Sequence, residues 1–404
     1  VLDDIEIRRN DAAFLDALGT RAIPDPTTAG DFCRRFDTAA VWRLMTIVNE
    51  ARLRVWQRST LDLGKTARID ADGSIVPTTG ERKQGMDLSY KRVWGYHPLL
   101  ISLANTREPL FIVNRSGSRP SHEGAPAALD RAVDLCRRAG FKDILLRGDT
   151  DFSMITHLDH WDDAGVRFIF GHDASPAYVE QAENLYPGEF EELCRKAQQQ
   201  FACKTRKKQP RVKEEIVCTR GYPNKRLVSE DTAEFEHHPQ RTKHSYRVVV
   251  LRKLIEEERG QLSIDTNFRY FFYITNDRKL TQAQVVAEAN GRCDQENIIE
   301  QLKNGARALH APLNTLEANW SYMVIASLAW SIKAWCALLL PVAPRFSKQH
   351  QADQIRLLRM DFRSFLQRFV LIPAQIIRSG RRLIFRLLAW RPELPVLFRL
   401  LDAW

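Results

Sequence analysis

"DILLRGDTDF", residues 143–152, decides the fold. Ile144, Leu145 and Leu146 form a short apolar run bounded by charged residues and a glycine, the pattern of a buried strand. Just before it, "APAALDRAVDLCRRAG" (125–140) reads as an amphipathic helix closed by Gly140. A strand reached through a helix is a crossover, and crossovers place helices on the face of a sheet. Working outward, "ARIDADGSIV" (67–76) alternates, and "LLISLA" (99–104) and "LFIVNR" (110–115) are β-prone and close enough for hairpins. Downstream come a helix candidate, Ser153–Asp163, and the strand "VRFIFGHD" (166–173). The order predicts an α/β fold, a mixed sheet flanked by helices.

Around this core, residues 1–60 read as a helical N-terminal region broken by "IPDPTTAGDF". Residues 61–174 are expected to form the first part of the sheet domain. The chain then turns polar and charged, so 175–265 are expected to be a β-rich insertion. "RYFFYITND" (269–277) resumes the sheet, 266–345 complete the domain, and 346–404 form a basic helical C-terminal region. No internal repeat appears.

Lysine and arginine outnumber the acids 60 to 50, a formal charge of +10 that favours a polyanionic partner, nucleic acid first. Seven scattered cysteines (33, 136, 194, 203, 218, 293, 336) with no CxxC pair read as reduced thiols without structural zinc. The apolar run 322–341 approaches membrane-spanning length, but Lys333 in its middle makes a buried core helix the better reading. No membrane association is expected. No signal peptide opens the chain, and beginning on Val it is expected to lack its natural N-terminus.

Two acidic pairs end strands, Asp70/Asp72 and Asp149/Asp151, each at the i, i+2 spacing that puts both members on one sheet face. A third acidic stretch, "GRCDQENIIEQLKNGARALH" (291–310), reads as a helix on which Arg292, Glu296 and Lys303 fall within an arc of about 40°. Carboxylates from neighbouring strands and a packed helix make an oxygen cage for a hard divalent ion. Two such ions about 4 Å apart support in-line phosphoryl transfer. Arg292 and Lys303 would position a phosphate. The same aspartates also suit ordinary turns.

The stretches "PDPTTAGDFCRRF", "DADGS", "GYHPLL", "LLRGDTDF", "RYFFYITND", "RCDQENIIEQLKNG", "NWSYMVIASLAWSIKAW" and "IPAQIIRSGRRL" resemble those of bacterial insertion-sequence DDE transposases. The likeness is to the insertion-sequence four-like superfamily, with its Tyr-x2-Arg-x3-Glu-x6-Lys signature, and to its "thirteen-eighty" branch. It implies a ribonuclease H-like fold and catalytic, metal-binding roles for Asp72, Asp149 and Glu296, with Arg292 and Lys303 at DNA phosphate. The nearest misassignments are Asp70, Asp151 and Glu300. It further implies Mg²⁺, with Mn²⁺ able to substitute, and transposon-end and target DNA as partners. A homodimer in the DNA complex and a bacterial cytoplasmic, nucleoid-associated location also follow. The signature tyrosine is replaced by Ala289. Rival readings are a nuclease that cuts without joining and an inactive, transposase-derived DNA-binding protein.

Other features read as structural. His97, His122, His172 and His310 are isolated and Cys293 is an inert thiol. The basic run Lys204, Arg206, Lys207, Lys208, Arg211 and Lys213 is either a phosphate track or a solvated loop. Arg378, Arg381, Arg382 and Arg386 read as a DNA-contacting helix or the polar side of an amphipathic one.

Overall fold

The computed structural model describes residues 2–193, 212–220, 223–259, 262–380 and 382–402. It comprises two compact units, one of Val1–Ile144 with Arg292–Trp404, the other Leu145–Gly291.

The first unit opens with helices α1 (Asp4–Arg9), α2 (Ala12–Ala17), α3 (Pro26–Cys33) and α4 (Thr38–Arg58). Asp11, Asp25 and Asp37 cap α2, α3 and α4 by accepting the backbone N–H three residues on, which satisfies donors a helix start leaves free. Pro26 occupies the first turn of α3, where its missing N–H costs nothing. Then come β1 (Thr66–Gly73), the short β2 (Val76–Pro77), β3 (Asp87–Leu88) and β4 (Trp94–Tyr96), and β5 (Leu99–Leu103) and β6 (Glu108–Val113). β5 pairs antiparallel with both β1 and β6, while β2, β4 and β3 form a small separate sheet. Helix α5 (Ala125–Arg138) buries Ala128, Leu129, Ala132, Val133 and Cys136, the stripe expected of an amphipathic helix on a sheet.

β7 (Asp143–Gly148) contains the boundary between the units. In the second unit, its residues from Leu145 onward pair parallel with β8 (Arg167–His172). α6 (Ile155–Asp163) makes the connection. The unit continues with α7 (Pro176–Glu183), β9 (Glu191–Glu192), α8 (Val212–Arg220), three long strands and α9 (Gln282–Gly291). The long strands are β10 (Pro223–His237), β11 (Tyr246–Arg259) and β12 (Leu262–Thr275), joined antiparallel. β12 also pairs antiparallel with β8, so the sheet is mixed. Leu145, Ile169, Val249, Leu251, Val285 and Val286 form its core. Of the basic run, Lys204, Arg206, Lys207, Lys208 and Arg211 lie outside the described residues, while Lys213 is exposed on α8.

The chain re-enters the first unit with α10 (Cys293–Glu300) and α11 (Leu316–Leu338). By length and composition α11 is the one helix among the described residues able to cross a membrane, yet most of it is buried, as a core helix should be. Its Trp335 joins Arg52 and Trp56 of α4 on the buried carboxylate of Glu108, at 2.7, 2.9 and 2.8 Å. Three donors satisfy that charge, which alone in a core would cost several kcal/mol. Lys333 donates to the Leu358 carbonyl at 2.5 Å and lies 4.1 Å from the Trp330 ring centroid. Burial, reinforced by Arg107, pushes its pKa down to about 7.

After α12 (Ser347–Arg359) and α13 (Phe362–Phe365), the expected helical C-terminal region is instead interrupted by a hairpin, β13 (Ala374–Ser379) and β14 (Arg382–Leu387), before α14 (Leu394–Leu401). Arg378, Arg382 and Arg386 therefore stand on strands, and Arg381 lies outside the described residues. Gly380, with φ of +58°, supplies the left-handed turn, and Ile376, Ile377 and Ile384 favour extended backbone over helix.

Candidate active site

Four of the five predicted site residues, Asp72, Arg292, Glu296 and Lys303, belong to the first unit, and Asp149 to the second. In the first unit the alternation of β1 carries Asp70 and Asp72 to its C-terminal end, but their surroundings differ. Asp70 is fully buried, whereas the side chain of Asp72 is 17% exposed. Arg292 Nη1 lies 3.8 Å from Asp72 Oδ2, and the other carboxylate oxygen accepts the Gly73 N–H at 2.7 Å.

The glutamate helix is fixed by a residue the sequence reading passed over. Gln295 is fully buried, and its Nε2 donates to the backbone carbonyls of Asp70 on β1 and Leu100 on β5, at 3.2 and 3.0 Å. One side chain thus clips α10 to two adjacent strands. Glu296, one helical step of about 100° further round, is left exposed. The available signal was the helical spacing of Gln295 with Ile298 and Leu302, a polar residue in an otherwise apolar stripe, masked by the Glu beside it.

The stretch that carries these residues is not one uniform α-helix. α9 ends at Gly291 and α10 starts at Cys293, so Arg292 occupies a break. Gln301–Gly305 then form a π-turn that carries Lys303. Its i→i+5 hydrogen bonding gives a smaller angular step than an α-helix, so the 100° count does not apply. Lys303 nevertheless senses Asp72 and Lys91. Burial first, then Lys91, holds its pKa below the usual lysine value, against Glu300 and Asp72.

Two supposedly isolated histidines support this region. The buried His97 donates through Nδ1 to the Arg119 carbonyl, 2.8 Å away, and its ring presses so closely on Gly73 that a Cβ there would sit 2.6 Å from Nε2. His310 Nε2 contacts the Lys303 carbonyl at 3.1 Å. Cys293 is an exposed free thiol.

In the second unit β7 stops at Gly148, and Asp149 caps a short 3₁₀ turn, Thr150–Phe152, by accepting the Asp151 N–H at 3.1 Å. Gly148 is needed there, because a Cβ would lie 2.6 Å from that of buried Phe152. Asp151 is exposed. His172, whose pKa burial lowers, bonds Ser153 at 3.2 Å. Ala289 packs against the unit's apolar core, where the signature tyrosine would stand.

The chain matches, over residues 1–403, the family described as transposase DDE domain group 1. It belongs to the DDE transposases. No curated protein matches it. Among solved structures this DDE-family chain is similar to the piggyBac transposase in a synaptic complex with hairpin DNA, at 8% identity and a TM-score of 0.30. That alignment covers 71% of this chain and 57% of the other, so the chain spans less than two thirds of that transposase.

Proposed function

We propose that the chain is a metal-dependent DNA transposase with a ribonuclease H-like catalytic fold, of the insertion-sequence four-like superfamily and its "thirteen-eighty" branch. In this reading water cleaves a phosphodiester at a transposon end, releasing a 3′-hydroxyl. That hydroxyl then attacks a target phosphodiester, forming one P–O bond as another breaks. Asp72, Asp149 and Glu296 supply carboxylates, and Arg292 and Lys303 engage phosphate. The reaction takes place on bacterial nucleoid DNA in the cytoplasm, with two copies of the chain holding the ends.

The observation that carries the reading is the contrast within one strand: Asp72 is reachable and faces a guanidinium at 3.8 Å, while Asp70 is sealed. Among the described residues no group of three or more His, Cys, Asp or Glu side chains forms a metal cluster. Magnesium, however, is commonly held by one or two protein carboxylates with water and substrate oxygens completing its shell, so the hard oxygen donors of Asp72 and Glu296 fit it. Bound there, Mg²⁺ or Mn²⁺ would lower the pKa of the attacking water and balance charge on the leaving oxygen. The chain's own part is positional. Gln295 holds the glutamate helix to β1 and β5, Arg292 offers a planar fork for phosphate oxygens, and Lys303 offers a compact charge.

The test is cleavage and joining of labelled DNA carrying the element's ends, with Mg²⁺ or EDTA, for wild type and Glu296→Ala. Metal-dependent joined products that vanish in the variant are expected. Binding without metal-dependent cleavage would overturn the enzymatic reading, and cleavage without joining would leave a nuclease.

A further inference from the structure

Between Phe362 and Pro392 the chain carries seven arginines and no acidic residue or lysine, a local charge of +7 in one short segment. The hairpin β13–β14 lies at its centre. Its register pairs Gln375 with Arg386, Ile377 with Ile384 and Ser379 with Arg382, and directly opposed residues share a face. One face therefore presents two arginines, a glutamine and a serine around a central isoleucine pair. Gln375, Ser379, Arg382, Ile384 and Arg386 are all exposed.

Two further observations concern what this ribbon meets. An isolated two-stranded hairpin is marginal in water, and the arginine-bearing face of this one also exposes Ile384 (45%) at its centre. A covering surface would complete it. The charges select that surface: Arg378 pairs with Asp16 and Arg368 with Glu393, but Arg382 and Arg386 have no acidic partner among the described residues. Each strand of six residues is about 20 Å long, and a two-stranded ribbon fits a DNA major groove. The segment also reaches the site, since the Phe362 N–H donates to Gln301, the first residue of the π-turn that carries Lys303, at 2.8 Å.

We infer that β13–β14 is a DNA-contacting ribbon whose Gln375, Ser379, Arg382 and Arg386 face lies against a duplex, with the two arginines on phosphates. The choice of DNA as the polyanion rests on the transposase reading, but the surface and its mode of contact do not follow from it.

The experiment is the salt dependence of binding to a labelled 30-base-pair duplex by the full chain, for wild type, R382A/R386A, R382K/R386K and the matched control R54A/R58A on α4. Loss of two phosphate contacts should reduce the slope of log Kd against log salt by about 1.8 and weaken binding at least tenfold at low salt. The lysine pair should restore the slope, and the control should keep it. An unchanged slope in R382A/R386A overturns the inference, as does a wild type that does not bind duplex DNA. So does a DNA-free dimer that the pair dissolves in sedimentation, which would make the ribbon an interface between copies. Glu296→Ala separates the two proposals: it should lose cleavage while keeping the wild-type salt slope. If Glu296→Ala still cleaves while the ribbon variant loses slope, the catalytic reading fails and this one stands.

Discussion

Two Asp-x-Asp triplets, Asp70-Ala71-Asp72 and Asp149-Thr150-Asp151, look alike in sequence and differ in the folded chain. In the first the strand persists through both aspartates, so the period of two applies, and depth separates a sealed carboxylate from a reachable one. In the second the strand has already ended. Gly148 lets Phe152 fold back, and Asp149 accepts a hydrogen bond from the backbone of Asp151. A spacing rule holds only as far as the element that supplies the period.

The largest effects should come from breaking the reachable carboxylates. Asp72→Ala and Glu296→Ala are expected to lower cleavage by on the order of 10³-fold or more with unchanged thermal unfolding. Equal activity in Asp72→Ala and wild type would sink the contrast at β1.

Within the second triplet, Asp149→Ala should be as damaging as Asp72→Ala, while Asp151→Ala, on an exposed side chain, should stay within about twofold of wild type. Reversed results in the same cleavage assay would exchange the two assignments.

Asp70→Ala and Gln295→Ala should act first on the fold, each costing about 1–3 kcal/mol in denaturant titration because buried polar partners lose their match. For Gln295, cleavage should fall further than duplex affinity, since the loosened element carries Glu296. Parallel losses in both would make Gln295 merely structural.

The smallest effect on cleavage, and a control on the core, concerns Lys333. With its folded pKa down at about 7, the unfolded chain binds the extra proton between that value and the ordinary lysine pKa. Stability from this group must therefore rise with pH across that window. Its penalty is complete below about pH 7 and is relieved towards pH 10. Lys333→Met should be more stable than wild type at pH 7, with the gap closing by pH 10, and a gap that widens with pH would refute the assignment.

Much of this was legible in the chain. The amphipathic helix at 125–140 and the buried strand at 144–148 follow from periodicity and punctuation. The reachability of Asp72 was not, because burial depends on partners distant in sequence such as Leu100 and Gln295. Nor was the π-turn, since an i→i+5 ladder leaves no composition mark, and a 100° count cannot detect it. The C-terminal arginines were misplaced on a helix because their apolar neighbours fit both periods, and a single Gly380 at positive φ decides between them. His97 and His310 looked solitary because their contacts are to backbone carbonyls.

The exposed thiol of Cys293 offers a reporter. Cys33, Cys136 and Cys336 have pKa values raised by burial, that of Cys136 to about 12, which keeps them as unreactive thiols near neutrality. With Cys194, Cys203 and Cys218 replaced by serine, a maleimide dye would then label Cys293 selectively, three residues and about one helical turn from Glu296. Its emission would time the arrival of DNA at the glutamate helix in a stopped-flow instrument, with every proposed catalytic side chain intact.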